Sequence, residues 1–216
     1  MQYFHEFQAQ DLWLLGEATL RTLLVSVIAI VAGTILGVVV GWALQASRYG
    51  LSVLIATITD VFRSVPLLIQ LILVYNFVPI IGLPLSAFQA GTLVLTLYCA
   101  SMVASVTRAG IDAVGFPMRN SARSLGMSYW QSMRYIVWPI GLRAVIPSWV
   151  GVALGVIKDS ALVSVLGYVE LLRASQMLIT RTQEPFLILG IAGLFYFALS
   201  YPLSSAAEKY ERRLKS

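Results

Sequence analysis

The chain contains five long apolar segments, each close to the length that a helix needs to cross a bilayer. A helix of about 20 apolar residues spans the hydrocarbon core of a membrane. The segments are continuous, so they lack the alternation of apolar and polar residues that is typical of strands in a membrane barrel. We therefore predict an all-α integral membrane protein with five transmembrane helices. The predicted spans are Leu20–Leu44, Leu54–Val78, Phe88–Val106, Ile136–Ile157 and Phe186–Ala207.

The composition also favours a membrane environment. Hydrophobic residues make up 58% of the chain and charged residues only 12%, whereas a soluble domain has about 25% charged residues. The length of 216 residues leaves room for one compact membrane domain, so we predict a single transmembrane domain over residues 1–216. The net charge of +5 does not indicate a nucleic-acid partner, because the basic residues are not clustered with aromatic residues in one patch.

The positions of the basic residues predict the orientation of the chain. If the N-terminus is outside, eleven basic residues fall on the cytoplasmic side and four on the outer side. Cytoplasmic loops carry the excess of lysine and arginine in membrane proteins. We therefore predict an external N-terminus and a cytoplasmic C-terminus, with residues 108–139 in the cytoplasm. The cytoplasmic set is Arg48, Arg63, Arg108, Arg119, Arg123, Arg134, Arg143, Lys209, Arg212, Arg213 and Lys215, and the outer set is Arg21, Lys158, Arg173 and Arg181.

The first span carries a row of small residues. Gly33, Gly37 and Gly41 are spaced four residues apart, which places them on one helix face. Small residues on one face let two helix backbones approach closely in lipid, so we interpret the row as a packing seam. The single cysteine, Cys99, lies in an apolar segment and is predicted to be a buried small hydrophobe.

The sequence lacks the residues that enzyme chemistry would need. ATP hydrolysis requires a glycine-rich loop of the form G-x-x-x-x-G-K-[ST], and none of the three lysines follows such a loop. The chain has one histidine and one cysteine, too few for a His/Cys metal cluster, and it shows no Ser-His-Asp arrangement. We predict that the chain is not an enzyme and that it holds no metal or cofactor.

A polar, arginine-containing segment separates the third and fourth spans. Met118–Ser124 is predicted to form a short helix, and Gly126 permits the backbone turn that ends it. An amphipathic surface helix is the general explanation for such a segment. A second helix follows, with these residues on the face predicted to lie on the membrane: Tyr129, Trp130, Met133 and Ile136.

The spacing within residues 108–139 resembles the loop by which membrane subunits of ATP-binding-cassette importers dock on their ATPase. That loop is written E-A-A-x3-G-x9-I-x-L-P. Four further runs resemble the polar amino acid permeases of these importers (the histidine/glutamate/glutamine/arginine/opine branch), in the same order and over nearly the whole chain. The loop positions are Asn120, Ser121, Ala122, Gly126, Ile136, Trp138 and Pro139, and the runs are Phe62–Gln70, Thr107–Ile111, Ser124–Gln131 and Lys158–Val165, the last followed by Glu170 and Leu171.

The resemblance implies the permease subunit of an ATP-driven amino acid importer in a bacterial cytoplasmic (inner) membrane, working by alternating access. It implies that the hydrolysis is carried out by a separate ATPase subunit. The other implied partners are a second permease subunit (identical or a paralogue), an extracytoplasmic solute-binding protein, a polar L-amino acid and the lipid bilayer. The implied ATPase coupling loop is Arg119, Asn120, Ser121, Ala122, Arg123, Ser124, Leu125, Gly126 and Pro139.

The chain departs from the family pattern at two acidic positions. The Glu of the coupling loop is Asn120, and the Glu three residues before the Arg of R-A-G-I is Ser105. The missing loop carboxylate removes a possible ion pair or helix N-terminal charge at the ATPase contact. We interpret Asn120 as a sign of weaker or altered docking at this subunit and not of lost docking, since asparagine can also cap a helix. A heteromeric pair, whose other permease keeps the acidic residues, is the hypothesis that follows.

Polar residues at membrane depth are candidates for the translocation pathway or gate, because polar groups inside a bundle usually face a partner or an aqueous path. Gln70 could line the pathway or bond to another helix. Lys158 and Asp159 could line it or anchor a helix end as a charged pair. Asp60 and Arg63 are predicted to pair with each other. The candidates are Pro66, which can bend its span, Gln70, Ser105, Lys158, Asp159 and Ser160.

Two other classes of protein stay open. An ion-coupled secondary transporter would need an embedded carboxylate relay and often an inverted repeat, but only Asp159 is a candidate for a deep carboxylate. A non-transporting membrane scaffold would explain the spans but not the spacing of the coupling loop. No residue identifies the amino acid that is carried.

Overall fold

The computed structural model describes residues 7–47 and 49–215, with side chains described as far as residue 212. Every regular element in these ranges is helical, which confirms the all-α prediction. Three residues of the orientation argument lie outside this description: Arg48 entirely, and Arg213 and Lys215 with their side chains.

Long apolar helices alternate with short ones. Four helical segments are long and apolar enough to cross a membrane, and the bent pair of α2 and α3 gives a fifth if it is counted as one span. Two 3₁₀ segments, Val78–Ile81 and Ser160–Leu166, and one π-helical segment, Met133–Val137, connect them. The α-helices are α1 Ala9–Ala46, α2 Tyr49–Ser64, α3 Leu67–Phe77, α4 Ala87–Ala113, α5 Phe116–Ser124, α6 Tyr129–Ser132, α7 Trp138–Asp159, α8 Leu171–Thr182 and α9 Pro185–Lys215.

The second predicted span, Leu54–Val78, is not one straight helix. The axes of α2 and α3 differ by 102° across a short break. Pro66 lies in that break, and its nitrogen has no hydrogen to donate to a helix. Its ring also disfavours a helical backbone at Val65. The continuous span is therefore corrected to two helices with a sharp bend.

The glycine row packs α1 against α4 at the centre of the bundle. A Cβ atom on Gly33 would lie 2.6 Å from the Cβ of Cys99, and one on Gly37 would lie 2.6 Å from the Cβ of Val103. Gly41 meets the same helix one turn further along. These distances leave no room for a side chain, so the predicted packing seam is confirmed. Cys99 is 1% exposed, which confirms its predicted burial.

A cluster of buried apolar residues connects the beginning of α1 with α8 and with the beginning of α9. An ion pair between Asp11 and Arg181 lies on the same two helices, α1 and α8. In the predicted orientation this end of the bundle is the outer one. The buried residues of the cluster are Leu15, Ala18, Leu171, Ala174, Leu178, Ile188 and Ala192.

Candidate coupling loop and polar pathway

The predicted coupling segment contains a helix of nine residues, α5. Pro117 lies in its first turn, where a missing N–H group costs nothing. The helix ends in a Schellman motif: the N–H of Gly126 donates to the carbonyl of Arg123 at 2.9 Å, and the N–H of Met127 donates to that of Ala122 at 3.1 Å. Gly126 has a φ of 77°, a left-handed conformation that glycine adopts without strain.

Arg119 connects α5 to the end of α4 through hydrogen bonds. Its Nε donates to the carbonyl oxygen of Val114 at 2.8 Å, and its Nη2 donates to the carbonyl oxygen of Ile111. Carbonyls at the end of a helix lack donors within that helix. One guanidinium therefore satisfies two terminal carbonyls and holds α5 to α4.

Asp112 is the anionic centre of the same junction. Its Oδ1 accepts a hydrogen bond from Nε2 of Gln45 at 3.0 Å, which brings in the end of α1. Guanidinium nitrogens of Arg108 and Arg119 lie 3.9 Å and 3.7 Å from the carboxylate. The carboxylate is about half exposed, so each ion pair alone contributes little stability. Their common effect is to connect α1, α4 and α5 at one point.

The second helix of the segment packs on α1 and α4. Ser128 caps it, because its Oγ accepts the N–H of Gln131 at 3.3 Å. Trp42 of α1 donates from Nε1 to the hydroxyl of Tyr129 at 3.1 Å, and its ring centroid lies 5.6 Å from that of Trp130. A small buried cluster then joins the helix to α4: Ile111, Val114, Met133 and Val137.

The other predicted coupling residues differ in exposure. Ala122 is 1% exposed, and Pro139 lies in the first turn of α7. Asn120 lies inside α5, whose N-cap is Gly115, so Asn120 does not cap this helix. The exposed residues of the set are Asn120, Ser121, Arg123, Ser124, Leu125, Gly126 and Pro139.

Ser105 faces α2 across a charged cavity. Its Oγ accepts a hydrogen bond from Arg63 at 3.0 Å. The guanidinium of Arg63 also lies 3.7 Å from the carboxylate of Asp60, which confirms the predicted pair. With Arg108 and Asp112, these residues line a cavity of about 280 Å³ between α2 and α4. The cavity therefore shares Asp112 with the junction that holds α5.

Gln70 closes the break at Pro66. Its Nε2 donates to the carbonyl oxygens of Phe62 at 2.8 Å and Val65 at 2.7 Å. These carbonyls lie just before the break, where the proline removes a backbone donor. The Oε1 atom of Gln70 is buried and has no hydrogen-bond partner among the described residues. The hydrogen bond between helices is observed, and the other interpretation of Gln70, that it lines the pathway, stays a prediction.

Lys158, Asp159 and Ser160 lie at the far end of α7 from the coupling segment. The 22 residues of α7 correspond to a rise of about 33 Å. Within the described residues neither Lys158 nor Asp159 has an ion-pair partner within 4.0 Å. Ser160 is buried, and its hydroxyl donates to the carbonyl of Ile157 at 2.7 Å. The pathway candidates thus lie on α4, at the break between α2 and α3, and at the end of α7.

Sequence reasoning missed the roles of two acidic residues. Glu170 is 1% exposed and accepts hydrogen bonds from two backbone N–H groups of α8 and from the hydroxyl of Tyr196. Burial raises the pKa of its carboxyl, and these donors oppose the shift. Its position directly before a helix was the available signal, since an acceptor is favoured there. For Asp112 the signal was Arg108, four residues earlier on the same helix.

Comparison with known proteins identifies relatives over the whole chain. Residues 29–216 match the family described as "Binding-protein-dependent transport system inner membrane component". The chain is 31% identical over 216 residues, covering 99% of both chains, to the "Probable glutamine ABC transporter permease protein GlnP" of Bacillus subtilis (strain 168). It is 26% identical to the "Glutamine transport system permease protein GlnP" of Escherichia coli (strain K12), over 97% of this chain and 99% of the relative.

Solved structures share the fold. A crystal structure of an amino acid ABC transporter with histidines superposes with a TM-score of 0.85 at 30% identity, over 93% of this chain and 94% of the other. The MetNI methionine ABC transporter in an inward-facing conformation gives a TM-score of 0.82 at 20% identity, over 96% and 99%, which is a likeness of fold. The chain therefore belongs to the family of binding-protein-dependent transport system inner membrane components, and it is a permease subunit of an ABC importer.

Proposed function

We propose that this family member moves a polar L-amino acid across a bacterial inner membrane by alternating access, driven by a separate ATPase. Relatives named for glutamine transport support this class of substrate. The single observation that carries the mechanism is the attachment of α5 to α4 and α1 through Arg119 and Asp112. A short helix that is bonded to the end of one span, which is itself bonded to the end of a second, is suited to transmit a displacement to both.

The proposed cycle begins at α5. Closure of the ATPase around its nucleotides pushes this helix and the residues that follow it. Arg119 passes the displacement to the terminal carbonyls of α4, and Asp112 passes it to Gln45 at the end of α1. Because the glycine seam packs α1 and α4 closely, the two spans move together and the pathway opens outward. Reopening of the ATPase returns the pathway to the cytoplasm.

The candidate pathway residues take separate parts in this proposal. The cavity at Ser105 presents the charges of Arg63 and Asp60, which complement the two charged groups of an amino acid zwitterion. Lys158 and Asp159, without ion-pair partners among the described residues, belong to a gate near the outer end together with Ser160. Pro66 and Gln70 maintain the bend between α2 and α3.

The proposal assigns a partner to each face of the membrane. The N-terminus is outside, where a solute-binding protein delivers the substrate, and α5 is in the cytoplasm with the ATPase. A second permease is needed, because five spans do not enclose a two-sided pathway. The neutral residues Ser105 and Asn120 favour a paralogue that keeps the acidic residues.

Reconstitution in proteoliposomes tests the function. The chain is combined with its ATPase, a solute-binding protein and, in parallel samples, a second permease, and uptake of labelled glutamine and other polar amino acids is measured. We expect uptake to require internal ATP and the binding protein, and to persist with an ionophore. Uptake that is independent of ATP and abolished by the ionophore would identify a secondary transporter, and no uptake in any combination would favour a scaffold.

The same samples decide between an identical pair and a heteromer. We expect binding-protein-stimulated ATP hydrolysis and uptake only when a paralogous permease is present. Full activity with this chain as the sole permease would contradict the heteromer and leave the importer function intact.

A further inference from the structure

The segment from the end of α4 to near the end of α7 carries only positive charge. From Ala113 to Ile157 the sequence contains no Asp or Glu, yet it contains four arginines: Arg119, Arg123, Arg134 and Arg143. The one position of α5 where the family pattern has a carboxylate is the neutral Asn120. This chain therefore presents no acidic group on α5 with which a basic residue of a docking protein could pair.

The two arginines of α5 have different environments. Arg119 is engaged within the chain, since its guanidinium donates to the carbonyls of Val114 and Ile111 and lies near Asp112. Arg123 lies one turn later and is exposed, and its side chain makes no hydrogen bond or ion pair with the residues that the structure describes. Of the two, Arg123 is the one available to an external carboxylate.

The surroundings of Arg123 have the composition of a protein interface. Phe116 and Leu125, at the two ends of α5, are 73% and 82% exposed, and Met118 is 48% exposed. Exposed large apolar residues beside an arginine are typical of the centre of an interface. Arg123 and Arg119 also line a cavity of about 490 Å³ with no acidic residue among its lining.

We propose that α5 docks in an acidic groove of the ATPase, where Arg123 pairs with a carboxylate. This inference rests on the proposed function, which supplies the ATPase. An arginine that becomes buried among apolar contacts needs a carboxylate partner, because an unpaired buried charge is strongly unfavourable. The replacement of the family's Glu by Asn120 then reverses the polarity of docking, which is one form of the weaker or altered docking that the sequence indicates.

Arg123→Lys provides a direct test. The variant keeps the positive charge and adds a primary amine. A carbodiimide condenses this amine with an adjacent carboxylate to form an amide, and the carbodiimide is converted to a urea by the water that is lost. The native lysines, Lys158, Lys209 and Lys215, all lie outside α5. The probe is the complex with the ATPase that supports uptake in proteoliposomes. We expect a cross-link from position 123 to an Asp or Glu of the ATPase, located by mass spectrometry, and none from the control Arg173→Lys on α8. An intact complex without a cross-link at position 123 would overturn the proposal.

Affinity for the same ATPase gives a second measurement. Arg123→Glu is expected to weaken binding by about tenfold or more, because it places like charges together. Raising the salt concentration should weaken wild-type binding and have little effect on Arg123→Gln. Arg119→Met should lower the uptake per ATP hydrolysed, because it releases α5 from α4.

The outcomes separate this inference from the function on which it rests. Binding of Arg123→Glu as tight as that of the wild type would overturn the acidic groove while uptake still supports the importer. If Arg123→Glu weakens ATPase binding in nanodiscs of anionic lipid but not in phosphatidylcholine nanodiscs, Arg123 binds lipid headgroups. That result would also overturn the acidic groove. A wild-type chain that binds the ATPase at no salt concentration would overturn the proposed function as well.

Discussion

Glu170, the N-cap of α8, is 1% exposed although carboxylates are seldom buried. Its Oε2 accepts a hydrogen bond from the hydroxyl of Tyr196 on α9 at 3.1 Å and lies 3.5 Å from Oγ1 of Thr22 on α1. Thr22 Oγ1 in turn accepts the N–H of Leu171 at 3.1 Å. The carboxylate therefore joins three helices that are far apart in the sequence. We assign it a structural role at the predicted outer end of the bundle.

Substitution of Glu170 tests this role. Glu170→Ala should destabilise the fold by about 3 kcal/mol, because it leaves several buried donors without an acceptor. Glu170→Gln keeps one acceptor oxygen and should cost less. Glu184→Ala, which removes an exposed carboxylate, is the matched control. Thermal unfolding of the purified chain in detergent measures all three, and equal melting of Glu170→Ala and the wild type would contradict the assignment.

At the scale of the helices, the arrangement depends on where side chains are absent. The glycine face of α1 lets α4 approach over three successive turns, so that the backbone of α1 packs directly on Cβ and backbone atoms of α4. A single glycine pair, Gly110 and Gly141, brings α4 close to α7 in the same way. The helices α1 and α4 also end at the junction of Asp112 with Gln45. Close packing along the glycine seam and the hydrogen bond between Gln45 and Asp112 thus hold α1 and α4 together.

The seam predicts opposite effects for two glycine substitutions in α1. A Cβ atom on Gly37 would lie 2.6 Å from the Cβ of Val103 and 2.7 Å from the carbonyl oxygen of Ala100. Gly37→Ala should therefore destabilise the fold by about 1–3 kcal/mol. A Cβ atom on Gly16 would have no neighbouring atom within 4 Å, so Gly16→Ala should be neutral or stabilise the helix by up to about 1 kcal/mol. Thermal unfolding in the same detergent compares the two variants. A Gly37→Ala variant as stable as the wild type would show that α1 and α4 can separate to admit a side chain without loss of stability.

At the scale of the whole molecule, the fold has two ends with different chemistry. One end carries α5, Asp112 and the arginines of the coupling segment, and the other carries Glu170 and the ion pair of Asp11 with Arg181. The excess of basic residues predicts that the first end is cytoplasmic. The proposed ATPase and solute-binding protein then act at opposite ends of the same helices.

Cysteine labelling tests the orientation. In a Cys99→Ala background, which removes the chain's single cysteine, Leu83→Cys and Leu125→Cys place thiols at positions that are 61% and 82% exposed. A membrane-impermeant maleimide added to spheroplasts should label position 83 at once and position 125 only after permeabilisation. The reverse pattern would contradict an external N-terminus.

Local properties of the sequence were enough for the membrane spans, apart from the break within the second one, and for the family resemblance of the chain. Hydropathy and length predict the spans, since a bilayer requires every backbone group to bond within a helix. Gly126 predicts the end of α5 and Pro66 predicts a bend, because each acts on its own backbone. The spacing of the coupling segment indicates the class of transporter without any distance between residues.

The separate roles of Arg119 and Arg123 required the folded chain. Both are arginines on one short helix, and no local property distinguishes the one that holds α4 from the one that is free to meet another protein. The same is true of the size of the bend at Pro66, 102°, and of the contact between Gln45 and Asp112, which are 67 residues apart. Burial and pairing are set by neighbours that are distant in the chain, and those neighbours meet only when the helices pack.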